Sequence, residues 1–206
     1  KAGAIEFYNK NFENAIKHYR KLEETADMLD NILAAQTGLM RSYQLTTQND
    51  QAILYAQKLL ANEKVEKEIA VEAHLIIGRA SIESNDLTAA QKEMTIVSKT
   101  TGVIAAEARY SLALIQYKLQ NYKSSKDKCF DVINAVPSYD YWIGKSFILL
   151  ADNYVALGDT FQAKHTLKSI VENYEKNPTD VDDIKAIASD KLQALLDKEK
   201  QGVLLK

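Results

Sequence analysis

Five small residues, Ala15, Ala52, Ala90, Ser125 and Ala163, recur along the chain at steps of 37, 38, 35 and 38 residues. No other feature limits the fold so strongly, because a period of this length marks a stack of similar supersecondary units. Each small residue opens one apolar pattern: Ala15-x3-Tyr19-x2-Leu22, Ala52-x3-Ala56-x2-Leu59, Ala90-x3-Met94-x2-Val97, Ser125-x3-Cys129-x2-Val132 and Ala163-x3-Leu167-x2-Ile170. Spacings of three and four put those side chains on one face of a helix. A second pattern precedes it, fullest in Phe147-x2-Leu150-Ala151-x2-Tyr154 and followed by the turn Leu157-Gly158-Asp159. Each unit is therefore expected to be a helical hairpin whose small residues lie where the two axes come closest. Gly78, Ala113 and Ala151 are the small residues of the first helices, and Met40 departs from that rule. One hairpin cannot bury its apolar stripe alone, so the hairpins must stack.

The expected fold is all-α, an α-α superhelix of antiparallel helical hairpins. It divides into a partial first repeat at 1–26, repeats at 27–64, 65–102, 103–138 and 139–177, and a capping helix with its tail at 178–206. Ile184, Ile187, Ala188, Leu192, Leu195 and Leu196 form the apolar stripe of that last helix, with Pro178-Thr179-Asp180 as the break and N-cap before it. Only 2 Pro and 7 Gly interrupt 206 residues, which agrees with long helices. The chain opens without Met inside a periodic pattern, so it reads as a piece of a longer protein whose targeting segment, if any, lies elsewhere.

Charge and chemistry narrow the function. With 26 Lys+Arg against 28 Asp+Glu and no basic block, a nucleic-acid surface is disfavoured. The longest charge-free run, Asn31 to Met40, is ten residues, half of the roughly 20 that a membrane span needs. The single Cys129 precludes an internal disulfide and a cysteine zinc site, and it falls at an apolar core position. His18, His74 and His165 have no second ligand at metal spacing. The acidic run Asp180-Val181-Asp182-Asp183 has neither the Gly nor the distal Glu of a calcium loop, and suits a helix start. No phosphate loop, nucleophile elbow or dinucleotide fingerprint is present. No enzyme activity, metal or cofactor is expected.

These residues resemble the tetratricopeptide repeat family, whose pattern joins large-x2-large-small-x2-aromatic to Gly-Asp-aromatic, Ala-x3-aromatic and a late Pro. The resemblance spans about Ala2 to Tyr174 and is fullest over Ser146–Tyr174 and Ala105–Pro137. The family's first-position Trp appears here as Phe147, His74, Arg109 and Gln36, and its late Pro only as Pro137. Steps longer than the family's usual 34 resemble the extended repeats of large bacterial cell-envelope proteins, which gives a lean toward periplasm or envelope over cytoplasm.

What the resemblance implies for function is a protein or peptide partner held on the concave face of the first helices. That face carries Thr37, Arg41 and Gln44, then Leu75, Arg79 and Ile82, then Tyr110, Leu114 and Tyr117, then Ile148, Asp152 and Val155. Contact is expected to centre on Tyr110, Leu114, Tyr117, Ile148 and Val155, with Arg41 and Arg79 toward the N-terminal side. Family members that clamp acidic chaperone tails use Asn beside their cations, and no Asn occupies this set. The alternative function is a structural spacer or oligomer contact inside a larger repeat protein, or an accessory region of a multidomain one.

Overall fold

A computed structural model describes residues 1–204, and among them there is no β-strand. Eleven helices follow one another: α1 (Ala2–Tyr8), α2 (Phe12–Thr25), α3 (Leu29–Leu45), α4 (Asn49–Leu60), α5 (Lys67–Glu83), α6 (Leu87–Ser98), α7 (Val103–Lys118), α8 (Tyr122–Ile133), α9 (Asp140–Ala156), α10 (Thr160–Asn173) and α11 (Ile184–Leu204). They form five hairpins and a final helix, the all-α stack of antiparallel hairpins expected from the period. Two compact units are present, Lys1–Val97 and the residues from Ser98 onward.

The small residues are where close packing demands them. Ala15, Ala90, Ser125 and Ala163 are fully buried and Ala52 is 1% exposed. Their partners on the first helices run in the same register: Gly3, Met40, Gly78, Ala113 and Ala151, each sixteen residues before a side chain of the second helix. Those side chains are Tyr19, Ala56, Met94, Cys129 and Leu167. In every pair at least one member is Gly or Ala. A Cβ built on Gly3 would lie 2.9 Å from Tyr19 Cδ1, and one on Gly78 would lie 2.9 Å from Met94 Cε. Where the first helix instead carries Met40, the second carries Ala56, and both are fully buried. Met40 is thus no exception to the packing; it is the same contact with the large side chain moved to the other helix.

The five hairpin turns are alike as well. Lys10, Thr47, Asn85, Gln120 and Gly158 have positive φ, between 57° and 82°. Each lies five residues before its unit's small residue. At four of the five turns, two backbone bonds close the end of the first helix: Thr47 N–H donates to the Gln44 carbonyl and Gln48 N–H to that of Tyr43, with the same pairs at Lys10 and Asn11, Gln120 and Asn121, and Gly158 and Asp159. This is the Schellman arrangement, in which a left-handed residue lets the chain satisfy carbonyls that the helix leaves open. The following helix starts on Asp86, whose Oδ1 accepts from Ala89 N–H at 3.0 Å, or on Asp159, which accepts from Gln162 N–H at 3.1 Å.

In the first unit, Tyr19 reaches past its own hairpin onto α3, where a Cβ on Gly38 would fall inside its ring. Glu23 on α2 gathers three donors, Gln36 Nε2 at 3.0 Å, Tyr55 Oη at 2.9 Å and Lys58 Nζ at 3.0 Å. Burial opposes its charge, but those hydrogen bonds outweigh it and hold the carboxyl below its usual range. His74 Nδ1 lies 2.6 Å from Glu93 Oε2 and ties α5 to α6. In the second unit, α11 covers the last hairpin with Ile184 and Ala188, both fully buried against Leu167 and Ile170. Its start differs from the sequence expectation. Asp183, not Asp180, caps α11, accepting from Ala186 N–H at 3.0 Å. Asp180 instead turns back to accept from Tyr174 Oη at 2.7 Å and Asn177 N–H at 2.9 Å.

A β-branched residue is strained at positive φ. Replacing Thr47 by Gly should therefore stabilise the protein by about 0.5–1 kcal/mol, the left-handed penalty less glycine's extra unfolded entropy. Thermal melts should show a rise of about 1–4 °C; a fall would mean that the turn does not set the hairpin.

Candidate partner-binding surface

On α7, Tyr110, Leu114 and Tyr117 are all half-buried, while on α3, α5 and α9 the first-helix face grades from a buried first position outward. Its first position packs inward: Thr37 is 6% exposed, Leu75 4% and Ile148 8%. The second position, Arg41, Arg79, Leu114 and Asp152, is half-buried, and the third ends at Val155, which is 42% exposed. The gradient follows from stacking, since successive first helices touch, α1 with α3, α3 with α5, α7 with α9 and α9 with α11.

In the first unit, Arg41 is engaged rather than open. Its Nε donates to Glu72 Oε1 at 2.8 Å and its terminal nitrogen to Oε2 at 2.5 Å, a two-point pair between α3 and α5. Arg79 lies half-buried on α5. A cleft of about 260 Å³ opens beside Arg41, lined by Phe7, Tyr19, Thr37, Gly38 and Ile69 among others.

In the second unit, Tyr110, Leu114 and Tyr117 share one face of α7 and pack onto the buried core of Ala113, Cys129, Leu149 and Leu150. Ile148 belongs to the neighbouring core with Ala151 and Leu167, so it forms floor and not rim. Tyr110 meets Trp142 at 5.4 Å between ring centroids, and Trp142 meets Tyr141 edge-on at 4.9 Å. Lys145 Nζ lies 5.7 Å from the Tyr110 centroid and 5.9 Å from that of Tyr141, and 2.6 Å from Asp182 Oδ2. Tyr141 Oη donates to the same oxygen at 2.9 Å. Burial pushes the Tyr110 phenol well above its usual value. Tyr117 stacks edge-on against Tyr122 at 5.4 Å, and burial raises its phenol too. Across α9, Asp152 Oδ1 accepts from Lys191 Nζ of α11 at 2.7 Å. The result is an aromatic strip on α7 and α9 held in place by ion pairs to the segment around α11.

Sequence reading placed Tyr110, Leu114, Tyr117 and Val155 on this face but missed Trp142, Tyr141 and Lys145. The signal was available: 145 and 142 continue the register 148, 152, 155 one to two turns toward the start of α9. Cys129 is fully buried, and burial pushes its thiol up to about 12, so it has no thiolate at neutral pH. Among the described residues no three His, Cys, Asp or Glu groups are placed to share a metal ion, and no helix is long and apolar enough to cross a membrane.

The Tetratricopeptide repeat family model matches residues 141–177, the α9–α10 hairpin in which the pattern is fullest. Two crystal structures of MamA have a similar fold. One is 18% identical with a TM-score of 0.68, covering 84% of this chain and 94% of that one. The other is 16% identical with a TM-score of 0.64, covering 85% and 93%. No curated protein matches the chain.

The Asp182 pairings make an acid test. The hydrogen bonds from Lys145 and then Tyr141 hold its carboxyl below the usual range. A depressed folded-state value contributes stability that is present above the unfolded value near ~3.9 and is lost as pH falls through the folded one. Asp182→Asn should therefore flatten the loss of stability below about pH 4, read from denaturant midpoints across pH. An unchanged slope would remove Asp182 from the acid response.

Proposed function

We propose that this chain is a non-enzymatic repeat module that holds a protein partner on the first-helix face of its hairpins. The observation that carries the reading is the strip of Tyr110, Trp142, Leu114 and Tyr117 running toward the open Val155. Aromatic anchors fixed by packing lose little entropy on binding, so a half-buried strip of them suits recognition. Ile148 supports it from below. In the first unit the matching face carries Arg41, paired with Glu72, and Arg79. The tetratricopeptide match and the MamA-like fold support a protein partner. The near-even charge balance argues against nucleic acid. Repeats at 27–64, 65–102, 103–138 and 139–177 are the units of this module, and their long steps give its lean toward the bacterial cell envelope.

A second reading has an observation of its own. Arg41 already has its counter-ion and Ile148 is 8% exposed, so part of the face is satisfied within the chain, as in a structural spacer. A photo-crosslinking residue placed at Val155 in the native host separates the two. A discrete adduct is expected at 155 and none at Phe161, which is 71% exposed on α10. Tyr117→Ala should then weaken capture of the identified partner about tenfold or more without loss of helicity. Equal adducts at both positions, or none, favour the spacer.

A further inference from the structure

The last hairpin of the second unit has a cleft that the first-helix face does not use. It lies where the start of α9 meets the end of α10, has a volume of about 360 Å³, and is walled by Ile143, Phe147, Ile170 and Tyr174. Asp140 and Glu175 line it as well, and both are exposed. The charges around it do not balance. Lys145 is held by Asp182 at 2.6 Å, Lys176 by Asp183 at 2.9 Å, and Lys168 by Glu172 at 3.6 Å. Asp180 holds only neutral donors, Tyr174 Oη and the Asn177 N–H. Neither the Asp140 nor the Glu175 carboxylate has a salt-bridge or hydrogen-bond partner among the described residues. The cleft also receives the carbonyl end of α10, whose last turn carries no basic residue of its own. The carbonyl end of α10 adds negative potential there, while the amide end of α9 offsets part of the Asp140 charge, so Glu175 carries most of the net negative charge.

We propose that this cleft is a docking site for a basic segment of a protein partner, separate from the aromatic face. One lysine or arginine enters with its aliphatic stem along Ile143, Phe147 and Ile170. Its charged end sits between Asp140 and Glu175, against the Tyr174 ring. The match is one of both parts of such a side chain: apolar walls for the methylenes and carboxylates without an ion-pair partner at the rim for the cation. An acidic or wholly apolar segment satisfies only one of the two, and leaves the carboxylates desolvated without a counter-charge.

The test uses the whole chain and two short synthetic peptides, one alternating Leu and Arg and its counterpart alternating Leu and Glu, titrated while backbone amide shifts are followed. The Arg peptide should move amides of residues 140–147 and 170–175, and the Glu peptide should not. Asp140→Asn with Glu175→Gln should weaken the Arg peptide at least tenfold, and Tyr117→Ala should leave it unchanged, which separates this site from the aromatic face. Asp140 lies in the first turn of α9, so Glu175→Lys is run alone as a variant beyond the helix ends and should by itself abolish the shifts. Shifts spread evenly over the acidic surface, or an affinity unchanged in Glu175→Lys, would overturn the proposal. So would spermidine moving the same amides with no response to the peptide, which would make the site one for small polyamines.

Discussion

Everything in this structure depends on two helices of a hairpin coming close enough to touch backbone to side chain. That approach is set by five pairs sixteen residues apart, Gly3 with Tyr19, Met40 with Ala56, Gly78 with Met94, Ala113 with Cys129, and Ala151 with Leu167. No pair holds two large side chains. Interiors at crystal-like density have no space for a second one, and a void on either side would forfeit dispersion contacts. The turn complements this contact. A left-handed residue at a fixed distance before the small residue brings the second helix back in register, so local backbone and core volume specify the same hairpin.

The proposed partner surface is a consequence of that stacking. Because first helices touch at their early positions, Thr37, Leu75 and Ile148 are drawn into the core while later positions stay accessible. Charged residues at the middle position then meet the next helix. Arg41 pairs with Glu72, and Asp152 pairs with Lys191. These partly exposed pairs add little stability each; the first ties α3 to α5, and the second ties α9, which carries Trp142, to α11. The acidic loop before α11 acts similarly: Asp180 and Asp182 hold Tyr174, Tyr141 and Lys145, while Asp183 caps the helix.

Much of this was legible in the sequence because a repeat presents the same physics five times. The hairpins, the buried alanines and the covering helix follow from period and helical spacing alone. Three features did not. Met40 looks anomalous until Ala56 is read as its partner, since the contact needs one small member and either helix can supply it. The cap of α11 falls on Asp183, directly before the helix, while Asp180 closes a local turn with Tyr174 and Asn177 and Asp182 is claimed by Lys145 and Tyr141, tertiary partners that local sequence does not announce. The inward position of Ile148 and the outward reach of Lys145 depend on how first helices cross, which the periodicity of one helix cannot carry.

The pairing of volumes across each hairpin is tested most directly by exchanging one pair. Stability is measured by denaturant unfolding for Met40→Ala, Ala56→Met and the double variant. Ala56→Met alone should overpack the contact and cost about 1–3 kcal/mol, and Met40→Ala alone should leave a cavity and cost about 2–5 kcal/mol. The exchange should recover much of both losses, with a coupling above about 1 kcal/mol, as contacting residues show. Losses that simply add, to within about 0.5 kcal/mol, would contradict the claim that the two side chains share one volume.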